Sequence, residues 1–452
     1  MTEYGPDVQG GGVSTSLNEY VSSVTENFPR ISKGRSIESS IAGRNKLDVL
    51  PVNNSNDGDG IRDRYVEFRV AGVQGQFLDL STLTIDLMVS VSSSDGSTLS
   101  DTDYVMFVNG LSNTLFKSCT CYFNEQMIES NALFNYHSFI KMITTISKEK
   151  MDSIGGASFY YRDYEGAKGI VDTYTEEYFT GGNAFEKTLA KTCKAQGISM
   201  TAPLLLDISS LDAYLLDSTD VRIRLELANN SWIMNTHQPG VNLKFKIDSI
   251  KLWVDRVVPR LEALNSLNQA LSMKALQYTY NRTLYKTYVL GVNQTSLVAE
   301  LPFTQIIPQN LTMCIVDMAS LNGEYSRNGL YFTHADLSHV HITINGSTVY
   351  NIRSEFPHHT ARLYYSTLEA LGLETHNSLT FNAFKEGRTL CAFNFVPENI
   401  DNGIPLDKSG NLRVNLTFNK GHTSNLVIMF FAETTGIIEI NSHRNVRCIV
   451  RA

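Results

Sequence analysis

A chain of 452 residues with 42% hydrophobic and 10% aromatic side chains is globular and long enough for two or three cores. Its formal net charge of −8 argues against a protein whose affinity comes from neutralising phosphates. The longest dense apolar run, Leu426–Ala432, is far shorter than a bilayer span. No apolar run follows the starting Met, so no signal peptide is expected, and the six cysteines are expected as reduced thiols.

Residues 1–60 are rich in Gly, Ser, Asn and Asp, carry eight acids against five bases, and are expected to form a flexible arm. From Arg64 the pattern turns to strands: Tyr65–Val70, then Leu83, Ile85, Leu87, Val89 and Val91 in strict alternation. Leu115–Phe123 leads through an Asn124-Glu125 turn into a second short strand. A helix over about Leu133 to Ile143 follows, with Leu133, Tyr136, Ile140 and Ile143 at helical spacing and Ser130 or Asn131 as its cap. Residues 148–202 have two Gly pairs and five tyrosines and are expected to be a loop-rich insertion. Val221–Leu227 alternates strictly, and Leu243–Val254 is a long strand ending the first half. Pro259 opens a helix carrying Leu261, Leu264, Leu267 and Leu271. The second half is expected to contain strands at Gln277–Tyr288, Leu311–Met318, Val340–Ile344, Leu390–Phe395, Leu412–Phe418, Leu426–Phe431 and Ile437–Ile440, and a helix over about Thr360 to Leu371. Asn345-Gly346 between Ile344 and Val349 is a strong hairpin signal.

The second half repeats the plan of the first: hairpin, short helix, variable stretch, alternating strand. Asp207–Leu227 lies without gaps on Glu398–Phe418, with identities Leu215/Leu406, Ser218/Ser409, Arg222/Arg413 and Leu225/Leu416. The chain is therefore expected to be all-β, two tandem jelly-roll sandwiches with short helices in loops. The expected division is an arm at 1–60, a first jelly roll at 61–258 with the 148–202 insertion, a linker helix at 259–274, and a second jelly roll with the C-terminal tail at 275–452.

Residues that could carry chemistry do not complete a site. His339 and His341 share one face of a strand, as in metal-binding cupins, but Asn345 stands in the region where an acid is needed, and none follows before Glu355. Cys119 and Cys121 also share a face without further zinc ligands and read as buried thiols. His358-His359 precedes a helix and reads as a capping or surface pair. Asn53–Gly58 resembles a calcium loop, but Arg64 occupies the position of the required acid. No catalytic, cofactor-binding or metal residue is expected.

Five segments together carry a family resemblance: Leu115–Ile143, Phe159–Asp163, Val254–Pro259 with the helix after it, Asn322–Tyr325 with Tyr331–Leu337, and Ala432-Glu433 with Ile437–Val446. In their order and spacing the chain, from about residue 62 onward, resembles the double jelly-roll major capsid proteins of Polinton/Maverick elements and adintoviruses, within the adenovirus and virophage capsid lineage. The resemblance implies homotrimeric, hexon-like capsomers of pseudo-hexagonal outline. These would tile an icosahedral shell around double-stranded DNA and contact neighbouring capsomers, penton and minor capsid proteins. It also implies a place in the virion, after synthesis in the host cytoplasm and assembly there or in the nucleus, with no enzymatic step, no sequence-specific nucleic-acid binding and no membrane span. The alternatives are a cytosolic tandem β-sandwich carbohydrate-binding protein or hydrolase, and the coat protein of a small single-stranded genome. Having only two tryptophans, Trp232 and Trp253, counts against the sugar binder, and the acidic arm against the coat protein.

Overall fold

The computed structural model describes residues 40–53, 64–93, 105–162, 197–211, 213–236, 243–303, 306–372, 379–396 and 409–449. The first half contributes β1 (Ile41–Val49), β2 (Tyr65–Val70), β3 (Phe77–Ser93), β4 (Val105–Phe107), β5 (Phe116–Phe123), β6 (Gln126–Asn131), β7 (Ile198–Pro203), β8 (Val221–Leu227), β9 (Met234–Thr236) and β10 (Leu243–Pro259). After the helix Leu261–Met273, the second half contributes β11 (Leu276–Leu290), β12 (Ser296–Leu301), β13 (Asn310–Asp317), β14 (Leu337–Ile344), β15 (Ser347–Arg353), β16 (Leu390–Asn394), β17 (Leu412–Phe418), β18 (Leu426–Ile440) and β19 (Val446–Ile449).

The two halves share one topology. Setting aside the small β4–β9 ladder and β19, the eight remaining strands of each half can be lettered B to I in chain order. The first half forms the sheets β1-β10-β3-β7 and β2-β8-β5-β6; the second forms β11-β18-β13-β16 and β12-β17-β14-β15. Both are B-I-D-G facing C-H-E-F, the jelly-roll order. Each barrel therefore has a B–C edge and an F–G edge.

Alternation explains the cores. Val221, Ile223 and Leu225 of β8 are fully buried, against β3 residues such as Ile85 and Val89 in the facing sheet. Arg222 and Arg224 point outward, over the rings of Tyr122 and Tyr65 at 4.2 and 4.0 Å. In β17, Leu412, Val414, Leu416 and Phe418 are buried while Arg413 bonds Glu300 at 2.5 Å. At the β14–β15 hairpin, Asn345 and Gly346 both have positive φ (50° and 83°), the backbone that an Asn-Gly pair supplies at least cost.

Several expectations change. The stretch read as an arm through residue 60 contains β1, paired with β10 from Ile41↔Pro259 to Val49↔Leu252. As an edge strand it packs only Ile41, Leu47 and Val49 against the core, so its pattern is too dilute to read as a strand. The insertion read as 148–202 contains β7, the G strand, paired with β3 from Ile198↔Val89 to Thr84↔Pro203. Its one-face pattern (Ile198, Met200, Ala202) is short and follows a long polar stretch. The same stretch contains the helix Lys148–Ile154 and the buried Phe159 and Tyr160, while residues 163–196 lie outside the described residues. Leu426–Phe431 and Ile437–Ile440 are one strand, β18. Neither Ser130 nor Asn131 caps the helix Phe134–Thr145; Asn131 Oδ1 instead accepts from the Leu133 N–H just ahead of it, at 2.9 Å. Of the aligned segments, residues 397–408, including Leu406, lie outside the described residues. The strands that follow them, β8 and β17, hold the same H position in their sheets.

Candidate functional site at the seam between the barrels

Among the described residues, a buried network of polar side chains lies where the barrels meet. The second barrel's β11 enters against the F–G edge of the first. Tyr278 Oη accepts from Leu216 N–H at 3.0 Å and donates to Tyr214 O at 3.1 Å. Tyr280 Oη donates to Ile128 O at 3.3 Å. Its ring lies over Gly436 on β18; a Cβ there would come within 2.3 Å of the Tyr280 ring. Burial pushes both tyrosine hydroxyls up, so they act as neutral hydrogen-bonding groups.

Beside them is a titratable cluster in which all but the partly exposed Lys141 are buried. Asp207 accepts from Lys141 Nζ at 2.7 Å, from Thr283 N–H at 2.7 Å and from Thr283 Oγ1 at 3.0 Å. Thr283 belongs to the second barrel and the other two to the first, so this carboxylate ties the halves together. His137 Nε2 lies 3.1 Å from Thr283 Oγ1, and its Nδ1 lies 3.1 Å from Asn131 Nδ2. Thr283 Oγ1 already gives its proton to Asp207, and Asn131 Nδ2 can only donate. The network therefore assigns His137 as the neutral tautomer protonated on Nε2. Burial and the Lys141 cation lower its pKa to about 3, outweighing the attraction of Asp207. The imidazole stacks on Phe431 of the second barrel, with centroids 6.0 Å apart.

Glu129 Oε2 accepts from the backbone N–H groups of Asp207 and Ile208 at 2.9 and 3.3 Å, and Oε1 lies 3.6 Å from Cys119 Sγ. Burial and then the nearby Asp207 charge raise Glu129 to about 8, against the pull of Lys141 and the two N–H bonds. Burial alone would also raise Asp207, but Lys141, His137 and the Thr283 N–H hold it below the usual carboxylate range. Lys141 is raised because the Asp207 carboxylate outweighs its desolvation. At neutral pH the set is thus one ion pair, a neutral acid and a neutral imidazole, with no net charge buried. The thiols of Cys119 and Cys121 are pushed well up by burial and by Glu129, which makes them inert.

Two further contacts close the seam. Arg444 reaches back from the β18–β19 turn to Asp217, which is 3% exposed, bonding Oδ1 at 2.5 Å and the backbone carbonyl at 3.1 Å. Its own carbonyl accepts from Asn124 Nδ2 at 2.8 Å. At the other side Trp232 Nε1 donates to Tyr136 Oη at 3.3 Å; a Cβ on Gly329 would stand 2.5 Å from the indole, and one on Gly323 3.0 Å from the Trp232 Cβ and backbone N. Phe332 of the second barrel packs on Tyr136 and Phe139 of the first.

The residues weighed from sequence lie elsewhere or play other parts. His339 and His341 stack 6.0 Å apart; His339 Nε2 is 2.6 Å from Asn351 Oδ1, and His341 is bound by Thr348 and Asn415. His358 and His359 are exposed, the latter in a backbone bridge with Glu355. Asn53 bonds β2 through Tyr65 O and Glu67 N–H, and residues 54–58 lie outside the described residues. Trp253 Nε1 donates to Asp86 at 3.4 Å. The seam cluster has no sequence signal: its members lie far apart in the chain, 76 residues between Asp207 and Thr283 and 146 between His137 and Thr283, and look individually ordinary.

Among the described residues no helix is long and apolar enough to cross a membrane. No protein-family model matches the chain, and no curated protein matches it in sequence. Solved structures do match. A chain of the Sputnik virophage, solved by cryo-EM, is 12% identical with a TM-score of 0.60, covering 93% of this chain and 91% of that one. The Faustovirus major capsid protein is 9% identical at a TM-score of 0.61, with 90% and 92% covered. The mavirus major capsid protein is 11% identical at 0.54, with 99% and 97% covered. The likeness spans both barrels in each case, and with the sheet order above it shows the fold: two jelly rolls in tandem, a double jelly roll.

Proposed function

We propose that this chain is a major capsid protein. Three copies would form a pseudo-hexagonal, hexon-like capsomer, and capsomers would tile an icosahedral shell around a double-stranded DNA genome. The observation that carries this reading is the pair of barrels with identical sheet order fixed side by side by a buried seam. Two like units in each of three chains give six like edges without any chemistry. Likeness at full length to chains whose names state a capsid role supports it. The assignment to the Polinton/Maverick–adintovirus type rests on the sequence segments Leu115–Ile143, Tyr331–Leu337 and Ile437–Val446. Neighbouring capsomers, penton and minor capsid proteins are the expected partners, and the virion the expected location.

A carbohydrate-binding reading finds little support in the tryptophans. Trp232 is 3% exposed and locked in the seam. Trp253 is partly buried in the middle of β10, paired with Asp48 and Thr84, and its Nε1 is taken up by Asp86. The test is sedimentation of purified protein with negative-stain imaging of the same peak. A species of three times the 50.5 kDa chain mass with hexagonal outline is expected. A 50.5 kDa monomer at every concentration, salt and pH, without particles, would overturn the proposal.

A further inference from the structure

The Lys141–Asp207 pair sets an amine against a carboxyl group in a site that solvent hardly enters. Lys141 comes from the helix Phe134–Thr145, and Asp207 opens the single turn Asp207–Ser210. Nζ lies 2.7 Å from Oδ1, with side-chain exposures of 18% and 2%. Cγ is one carbon–oxygen bond further on, close to the roughly 3–3.5 Å of a near-attack arrangement. The other lysine ion pairs among the described residues, on Asp48, Asp248 and Asp336, join more exposed lysines to more exposed carboxylates.

Both carboxylate oxygens are held by donors from the second barrel. Thr283 N–H donates to Oδ2 at 2.7 Å, and its hydroxyl to Oδ1 at 3.0 Å. His137 Nε2, 3.1 Å from Thr283 Oγ1, keeps the hydroxyl proton turned toward Asp207. Glu129 fixes the backbone of the same turn by accepting from the Asp207 and Ile208 N–H groups, and in its neutral form adds no charge.

We propose that Lys141 and Asp207 condense to an Nζ–Cγ amide, a covalent cross-link that the folded chain forms within itself with release of one water. Nζ first gives a proton to Oδ1, which leaves a neutral amine beside a neutral acid. The nitrogen lone pair then attacks Cγ, and the charge that develops on Oδ2 falls on the Thr283 N–H. A second proton passes from Nζ to Oδ1, relayed by the Thr283 hydroxyl, as the Cγ–Oδ1 bond breaks. Oδ1 departs as water with two protons from the ammonium, and Oδ2 remains as the amide carbonyl. Charge is conserved, and no co-reactant is needed.

Two effects drive the step. Fixed reactants reach effective molarities of about 10⁵–10⁸ M, far above that of water. The product also removes two charges from a buried site. One effect slows it: against desolvation, each partner's charge holds the other ionised, so the neutral pair is a minor species. The freshly folded chain therefore carries the ion pair, and the bond accumulates afterwards. It would join positions 66 residues apart, so that a backbone cut anywhere between them leaves the pieces connected. Every group involved lies within one chain, so this inference and the capsid reading stand or fall separately.

The test is the intact mass of full-length protein, denatured for measurement when fresh and after prolonged incubation in the folded state. The mass is expected to fall from the sequence value by one water per chain. Trypsin should then fail to cut after Lys141, and a branched peptide should join the segments carrying Lys141 and Asp207. Lys141→Met should stay at its sequence mass. Thr283→Val, which keeps the N–H and loses the hydroxyl, should convert at least about tenfold more slowly. An unchanged rate in Thr283→Val would overturn the proton route. A parent mass that never changes would overturn the cross-link. So would water loss mapped instead to Asp57-Gly58 or Asp59-Gly60, where an aspartate can cyclise on its own backbone.

Discussion

Replacing Glu129 by Gln tests the electrostatics of the seam most directly. The folded-state pKa of Glu129, about 8, lies above its ordinary 4.5. Between those values the folded chain holds a proton that the unfolded chain has released. Stability from this group is therefore fully present below 4.5 and is lost as pH rises through 8, by about 1.4 kcal/mol per pH unit and roughly 5 kcal/mol in all. Gln copies the protonated acid: its oxygen can accept from the Asp207 and Ile208 N–H groups, and its NH₂ replaces Oε1 beside Cys119. Relative to the parent, Glu129→Gln should gain about 1 kcal/mol at pH 5, about 2 at pH 6 and about 4 at pH 8. Asp207 does not mask this, because its depressed pKa places its own loss of stability at acid pH, below the ordinary carboxylate value. The assay is urea unfolding at pH 5, 6, 7 and 8, at one oligomeric state. Fluorescence serves as the probe, because Trp232 is buried in the seam beside Tyr136. A difference between the two proteins that stays constant from pH 5 to 8 would refute the neutral-acid assignment of Glu129.

Other expectations are simpler. Gly436→Ala puts a methyl 2.3 Å from the Tyr280 ring, so the ring must move and lose Ile128 O; about 1–3 kcal/mol should be lost, measured by thermal unfolding. Leu225→Asp and Leu416→Asp, at 0% and 1% exposure, each place a charge inside one barrel and should each cost about 3–5 kcal/mol; normal yield and melting of both would contradict the strand assignments. Relative to a chain beginning at residue 40, removal through residue 60 deletes β1, exposes the β10 edge, and should lower the melting temperature and promote aggregation. Equal melting of the two truncations would show that β1 contributes nothing.

Strands with one buried face and one wet face were legible, because period-two alternation reports that asymmetry directly: Val221–Leu227 and Leu412–Phe418 have their sequence-derived bounds in the structure. β13 and β18 were legible in another way, as continuous apolar runs, buried over Leu311–Val316 and Leu426–Ala432 because barrel two presents one sheet face to its own core and the other to barrel one; what the runs did not reveal is that Leu426–Phe431 and Ile437–Ile440 form one strand. Edge strands were not legible: β1 buries too little to show a pattern, and β12 (Ser296–Leu301) likewise buries only Ala299 and Leu301. The seam was illegible for a different reason. Thr283, His137 and Asp207 acquire their roles only from a contact between barrels, and nothing local distinguishes Asp207 from Asp217 or Asp220.

The polarity of that seam has a structural consequence of its own. An apolar contact between two sheets tolerates sliding, since dispersion and burial are nearly indifferent to a shift of one strand residue. The Asp207 carboxylate is not. It needs Lys141 from one barrel and both the N–H and hydroxyl of Thr283 from the other, and a slip of one residue along β11 would turn the Thr283 side chain to the opposite face. That would leave a buried carboxylate with one partner, a cost of several kcal/mol, roughly the whole margin of a domain. Arg444 on Asp217 fixes a second, separate point, and two fixed points also set the rotation of one barrel relative to the other. The buried polar cluster thus selects a single relative placement of two otherwise smooth barrels. A unit that must present like edges at set angles to its neighbours depends on that selection more than on added stability.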